Sequence, residues 1–214
     1  MPTSFGETAV PGGPDARLGS VGFRSAGAED AEQIAALHAD SWRLHYRGAY
    51  ADSFLDGDVA ADRRTVWSAR LAAPANSETV LAERYGQLVG FIHVVFDADP
   101  QWGSLVDNLH VAHHQRRTGI GAHLLSRAAR SVSRRAIGDA VYLWVLEQNT
   151  AAQQFYHACG AIQVETAPVP PPGGDPARLN GAPRGLRMVW PNVARLLRLG
   201  ESGTATRTRG PNGP

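Results

Sequence analysis

The segment Arg116-Arg117-Thr118-Gly119-Ile120-Gly121 places two glycines two residues apart, just ahead of an amphipathic run. The missing side chains at Gly119 and Gly121 leave backbone N–H groups uncovered where a helix begins. Unpaired donors at the positive end of a helix dipole are suited to holding an anion. Residue types exclude two other glycine-turn chemistries. All 21 Lys-or-Arg residues are Arg, which removes a phosphate-loop lysine and any Schiff base. Leu124 stands where a dinucleotide fingerprint requires its third glycine. Nearby His110, His113 and His114 have no Cys or carboxylate at a zinc-binding spacing, so no metal is expected.

Elements on either side must hold this turn in place. Leu105–Val111 is predicted to lead in as a strand, and a helix from about Gly119 to Arg134 leads out, with Ile120, Leu124, Leu125, Ala128 and Val132 inward. Upstream, the pattern predicts a strand at Val21–Arg24, a helix from Ala28 to the Ser41-Trp42 region, and a second helix capped by Asp58 and running through Leu71. Thr79–Glu83 and Leu88–Phe96 read as a hairpin turning at Tyr85-Gly86, with Asp97-Ala-Asp-Pro100 closing the second strand. Downstream, Val141–Leu146 is apolar enough for a buried central strand, followed by a helix over Thr150–Cys159 stopped by Gly160, and a strand at Ile162–Thr166. Ala167–Gly185 carries six prolines, too many for regular structure inside a core, and Leu186–Trp190 reads as the returning strand. Asn192 would cap a short helix with Val193, Leu196 and Leu197 inward.

This order of elements defines a mixed α/β domain. At 214 residues the chain fits one domain, residues 21–199, with disordered tails rich in Pro, Gly, Ser and Thr expected at 1–20 and 200–214. A net charge of +1 argues against a nucleic-acid or membrane partner. The single Cys159 cannot form an intrachain disulfide, and no apolar N-terminal run marks a signal or span, so the cytoplasm is the expected setting.

Two motifs taken together resemble the GNAT superfamily of acyl-CoA-dependent N-acyltransferases. Arg116-Arg-Thr-Gly119-Ile-Gly121 matches its glycine signature, and Asn149, Ala152, Phe155-Tyr156 and Gly160 match a second signature further along. The likeness covers roughly residues 21 to 190. Ala161 departs from it, standing where an aromatic is usual. The resemblance implies a single GNAT-like domain: a mixed central sheet of about seven strands with flanking helices, splayed between the fourth and fifth strands. It implies acetyl-CoA as acyl donor, its diphosphate resting on the amides of Arg116, Arg117, Thr118, Gly119, Ile120 and Gly121. Leu109, His110 and Val111 would hold the pantetheine arm through backbone groups, and Asn149 would touch the cofactor from the far side. Tyr156 would protonate the departing thiolate. A phenol near pKa 10 does so to a thiol near 8.5 only when held in contact with it. The N–H of Leu109 or Val111 would meet the developing oxyanion.

An ammonium near pKa 10 must lose its proton before attack. Asp107 is the candidate base, two residues after Leu105 and on its face in a regular strand, with Glu83 and Glu147 behind it. In the family, the region after the first strand and the late hairpin shape the acceptor site. Trp42, Tyr46 and Tyr50 are candidates for its wall, with core packing between helices an equal or better reading for Trp42. Arg127, Arg130 and Arg134 read as a solvated cationic face, and Cys159 as a core residue. The expected partners are acetyl-CoA and a primary amine of a small molecule, peptide or protein, with a homodimer left open. A non-catalytic acyl-CoA-binding sensor is the alternative reading.

Overall fold

A computed structural model describes residues 21–199, so the tails expected at 1–20 and 200–214 lie outside the described residues. Within that range seven strands form one sheet: β1 (Val21–Ser25), β2 (Ser77–Arg84), β3 (Gln87–Asp99), β4 (Gly103–Val111), β5 (Val141–Leu146), β6 (Ile162–Pro168) and β7 (Arg184–Trp190). Their order is β1-β2-β3-β4-β5-β7-β6. Neighbours are antiparallel except β4 and β5, which run parallel. A parallel pair needs a crossover, supplied here by α4 (Ile120–Arg135). The other helices are α1 (Ala31–His45), α2 (Asp52–Asp56), α3 (Val59–Ala72), α5 (Thr150–Ala158) and α6 (Ala194–Arg198).

Local chemistry accounts for several of these boundaries. Tyr85 and Gly86 turn the β2–β3 hairpin with φ of 53° and 75°, the left-handed pair that matches strand twist. At the start of α1, Asp30 accepts from the Gly27 N–H at 2.8 Å and from the Arg24 guanidinium at 2.7 Å, which ties the helix to β1. Gly160 ends α5 with φ 93°, and a side chain there would collide with Arg195, which is on α6. The Asn192 side chain accepts from the Ala194 N–H at 3.1 Å, although Val193 and not Asn192 occupies the cap position of α6.

The sheet is covered on both faces. Ile120, Leu124, Leu125, Ala128 and Val132 of α4 are at most 2% exposed and pack with Val94, Val106, Leu143 and Met188 of the strands. Truncating one such leucine to alanine typically costs about 2–5 kcal/mol. Gly90 on β3 lets the helix come this close, since a Cβ there would stand 3.2 Å from both Ile120 and Leu124. On the opposite face Ile34 and Ala35 of α1 and Trp67 of α3 cover Leu81 and Phe91. A further apolar cluster joins Trp42, Tyr50, Phe54, Leu55, Val59 and Leu146.

The structure adds to or departs from the sequence reading in five places. α1 does not stop near Trp42 but continues to His45. α2 was not expected, and β3 runs on through Asp99 instead of closing at Asp97. Asp58 occupies the cap position of α3, yet its backbone is already helical and its side chain makes no capping bond. The proline-rich insertion is ordered: the Asn180 N–H donates to the Ala49 carbonyl and the Ala51 N–H to the Arg178 carbonyl, both at 2.9 Å. Arg178 also pairs with Asp62 on α3, so the insertion is stitched to the α1–α2 loop and to α3.

Candidate active site

β4 and β5 pair only at Ser104 with Val141 and Leu105 with Tyr142, among the described residues. Beyond Leu105 the strands part, leaving the β5-facing backbone groups of Val106 to Val111 without that neighbour. A cavity of about 480 Å³ opens at this gap, lined by Leu109, His110 and Val111 from β4, Trp144 to Leu146 from β5, and Tyr156 from α5. Its floor includes Arg116, Arg117, Gly119, Ile120 and Gly121.

The glycine turn has the geometry that an anion needs. Gly119 adopts φ 89° and Arg117 φ 62°, which bends the chain back before α4. The first backbone bond of the helix runs from the His123 N–H to the Gly119 carbonyl at 3.1 Å. The amides from Gly119 to Ala122 therefore precede the helical ladder at its open end. Thr118 is absent from the cavity wall; its hydroxyl donates to the Gln115 carbonyl at 2.7 Å and braces the turn. Arg84 donates to the Gln115 side chain at 2.7 Å and braces it again. At Gly121 a Cβ would lie 3.2 Å from Phe155 Cζ, so α4 and α5 close against each other here. Asn149 lines the cavity and caps α5, its side-chain oxygen accepting from the Ala152 N–H at 3.2 Å.

Tyr156 is 9% exposed and reaches the cavity from α5. Burial, and then the neighbouring Tyr46, push its phenol well above the usual range, so it stays protonated. Tyr46 faces the same cavity, its phenol pushed up to about 12 by burial and by the charge of Asp107. Trp42 and Tyr50 stand behind it, each 7% exposed, as members of the small apolar cluster. Of the three aromatics expected at an acceptor wall, only Tyr46 lines the cavity.

Asp107 lies elsewhere than a regular strand would put it. His93 pairs with Asn108 and Val94 with Val106, so Asp107 is the extra residue of a β-bulge. The bulge exchanges the strand's faces: Val106 packs in the α4-side core before it, Leu109 and Val111 pack against that core after it, and His110 faces His38. The Asp107 carboxylate is absent from the cavity wall, and its Oδ2 accepts from Asn108 at 2.6 Å and pairs with Arg70 at 2.7 Å. Glu83 pairs with Arg24 on β1, and Glu147 lines a separate hollow.

The wall also includes side chains that the sequence reading did not single out, Ser41, His45 and Trp144 among them. Ser41 Oγ lies 2.7 Å from His110 Nδ1. His110 is lowered to about 3 by burial, and His45 is lowered by burial and by Arg116 and His113. Ser41 and His45 are four residues apart on α1, and that spacing was the available signal once the helix is carried to His45. Among the described residues no group of three or more His, Cys, Asp or Glu side chains could hold a metal ion. No helix there is long and apolar enough to cross a membrane.

A seven-stranded sheet parted between its fourth and fifth strands, over the open end of a helix, defines a GNAT-like architecture. The chain belongs to the acetyltransferase (GNAT) family, whose model matches residues 33–161. No curated protein sequence matches it. Solved structures share the fold at low identity. The PaiA N-acetyltransferase of Thermoplasma acidophilum, in complex with coenzyme A, is 19% identical with a TM-score of 0.62, over 80% of this chain and 99% of that one. YncA of Salmonella typhimurium, with its cofactor acetyl-CoA, is 17% identical with a TM-score of 0.57, over 80% and 93%. NAA60 of Arabidopsis thaliana, in complex with a bisubstrate analogue, is 16% identical with a TM-score of 0.57, over 80% and 97%.

Proposed function

We propose that this protein transfers an acetyl group from acetyl-CoA to a primary amine of a small molecule or peptide, by direct attack of the amine on the thioester. The observation that carries this reading is the parting of β4 from β5 above the open N-terminus of α4. The donor set fits the cofactor: outward amides and two arginines for a diphosphate, and a bare strand edge for the peptide-like arm.

In this reading the amine nitrogen bonds to the carbonyl carbon, a β4 amide steadies the oxyanion, and the carbon–sulfur bond then breaks. Tyr156 gives its proton to the leaving sulfur, a role for which a phenol held protonated in contact with the thiol is suited. Asp107, held behind the cavity wall by Arg70 and Asn108, is the proposed final destination of the acceptor's proton, which reaches it through water and not by direct contact. Direct attack is supported by Cys159, which is 4% exposed in the core with its thiol pushed up to about 11 by burial, a poor nucleophile. Release of free thiol from acetyl-CoA in the presence of a panel of amines tests the proposal.

One observation favours a second reading: among the described residues no Asp or Glu side chain lines the cavity. A sensor that binds acyl-CoA without turning it over needs no such group. Uptake of acetyl-CoA with no thiol release from any amine would select it.

A further inference from the structure

A second hollow, of about 400 Å³, lies beside the first and shares Leu146 with it. Its wall brings together Gly48 of the α1–α2 loop, Glu147 and Gln148 after β5, and Asn180 and Arg184 of the insertion. These segments are fixed to one another by backbone bonds, from Asn180 N–H to the Ala49 carbonyl and from Glu147 N–H to the Arg184 carbonyl, both 2.9 Å. Gln148 is fixed as well: its Nε2 donates to the Arg47 carbonyl at 2.7 Å, and its Oε1 is 3.5 Å from where a Cβ of Gly48 would stand. The hollow is thus a held shape.

Its charges are one of each sign and loosely engaged. Glu147 and Arg184 approach only to 3.9 Å, with side chains 57% and 53% exposed, whereas Arg187, further along β7, pairs with Glu165 of β6 at 2.8 Å. An exposed pair at that separation contributes little to the fold and can exchange each partner for a ligand's opposite charge. A ligand bearing ammonium and carboxylate on one carbon would satisfy both: the carboxylate on the Arg184 guanidinium, the ammonium on Glu147 and the Gln148 oxygen. A diamine would leave Arg184 facing a cation, and a lysine inside a peptide chain offers only neutral amides to both groups.

We infer that this hollow binds the zwitterionic head of a diamino acid, whose side-chain amine passes Leu146 toward the gap between β4 and β5. The inference rests on the N-acetyltransferase reading above and names its acceptor class.

The test uses the full chain with acetyl-CoA and three probes: L-lysine, L-lysine methyl ester and cadaverine. KM for L-lysine is expected about tenfold below that for either of the others, the scale of one charge-assisted bond. Mass spectrometry should place the acetyl group on the side-chain nitrogen. Arg184→Gln and Glu147→Gln, both at exposed positions, should each erode that preference about tenfold. An unaltered preference in both variants, equal use of all three probes, or acetylation of the α-nitrogen overturns the inference. Ligand-observed NMR separates the two claims. L-lysine binding that Arg184→Gln abolishes, with no thiol release from any probe, leaves the head site standing and removes the transferase. Thiol release from amines without regard to a head group leaves the transferase standing and removes the head site.

Discussion

Ser41 Oγ and His110 Nδ1 meet at 2.7 Å and join α1 to β4 at the wall of the cavity. Behind this contact the rings of His110 and His38 lie 4.5 Å apart, and His38 accepts from the Trp67 indole N–H at 3.0 Å. His93 completes the buried set, its Nδ1 2.8 Å from Thr79 Oγ1.

These three rings make stability depend on pH in a defined direction. Burial holds all of them neutral, His93 down to about 4 and His110 down to about 3. In the unfolded chain each returns to the ordinary value of 6.5, so below that pH unfolding takes up protons. Their contribution is full above 6.5 and is lost as pH falls toward their folded values, at up to about 1.4 kcal/mol per ring per pH unit. Urea unfolding at neutral pH and in the range from 6.5 down to 5 should show the decline. A flat profile would mean that the rings take up protons in the fold as readily as in the unfolded chain.

Gly121→Val should weaken acyl-CoA binding at least about tenfold, because a side chain there meets Phe155 and forces the α4 terminus off its amide geometry. Calorimetric titration with coenzyme A reads this directly. The variant's melting temperature should move little by comparison, since the site is at the rim of the core.

Tyr156→Phe should lower kcat about a hundredfold or more while acetyl-CoA binding is retained, the signature of a lost proton donor. Asp107→Asn should lower kcat/KM for amines by a similar factor of about a hundred. Equal kinetics in the latter variant would return Asp107 to a purely structural pair with Arg70.

Arg187 on β7 is 13% exposed, pairs with Glu165 at 2.8 Å and Asp99 at 3.6 Å, and lies over the rings of Trp144, Tyr142 and Trp102 at 4.6 to 5.2 Å. Arg187→Ala should cost about 1–2 kcal/mol, chiefly from the lost stacking on three rings, since the Glu165 and Asp99 carboxylates keep access to water. Arg187→Lys should recover part of this, as an ammonium keeps the charge but loses the planar face. Chemical denaturation of both variants ranks them.

What the chain's pattern revealed and what it concealed divide along physical lines. The left-handed Tyr85-Gly86 turn, the inward face of α4 and the stop at Gly160 are local decisions, written in residues within a few positions of each other. The parted strands and the seven-stranded sheet followed from the family likeness of two motifs. Asp107 was misplaced because a bulge depends on the partner strand, which no period within β4 reveals. In the sequence Trp42 and Tyr50 fit a cavity wall, and Trp42 fits core packing at least as well, because aromatics near a slot serve both roles. α2 and the continued turn of α1 decide that they are core. Ser41 and His45 were overlooked for the same reason: ending the helix early hid the face they share.

The limited seam at Ser104 and Leu105 has a mechanical consequence. Strands β1 to β4 form one plate and β5, β7 and β6 another, with few main-chain ties between the plates near one end. A long molecule lying along β4 between them would act as a clasp, so heat or pulling force should separate the halves along this line first, and a bound acyl carrier should raise that threshold.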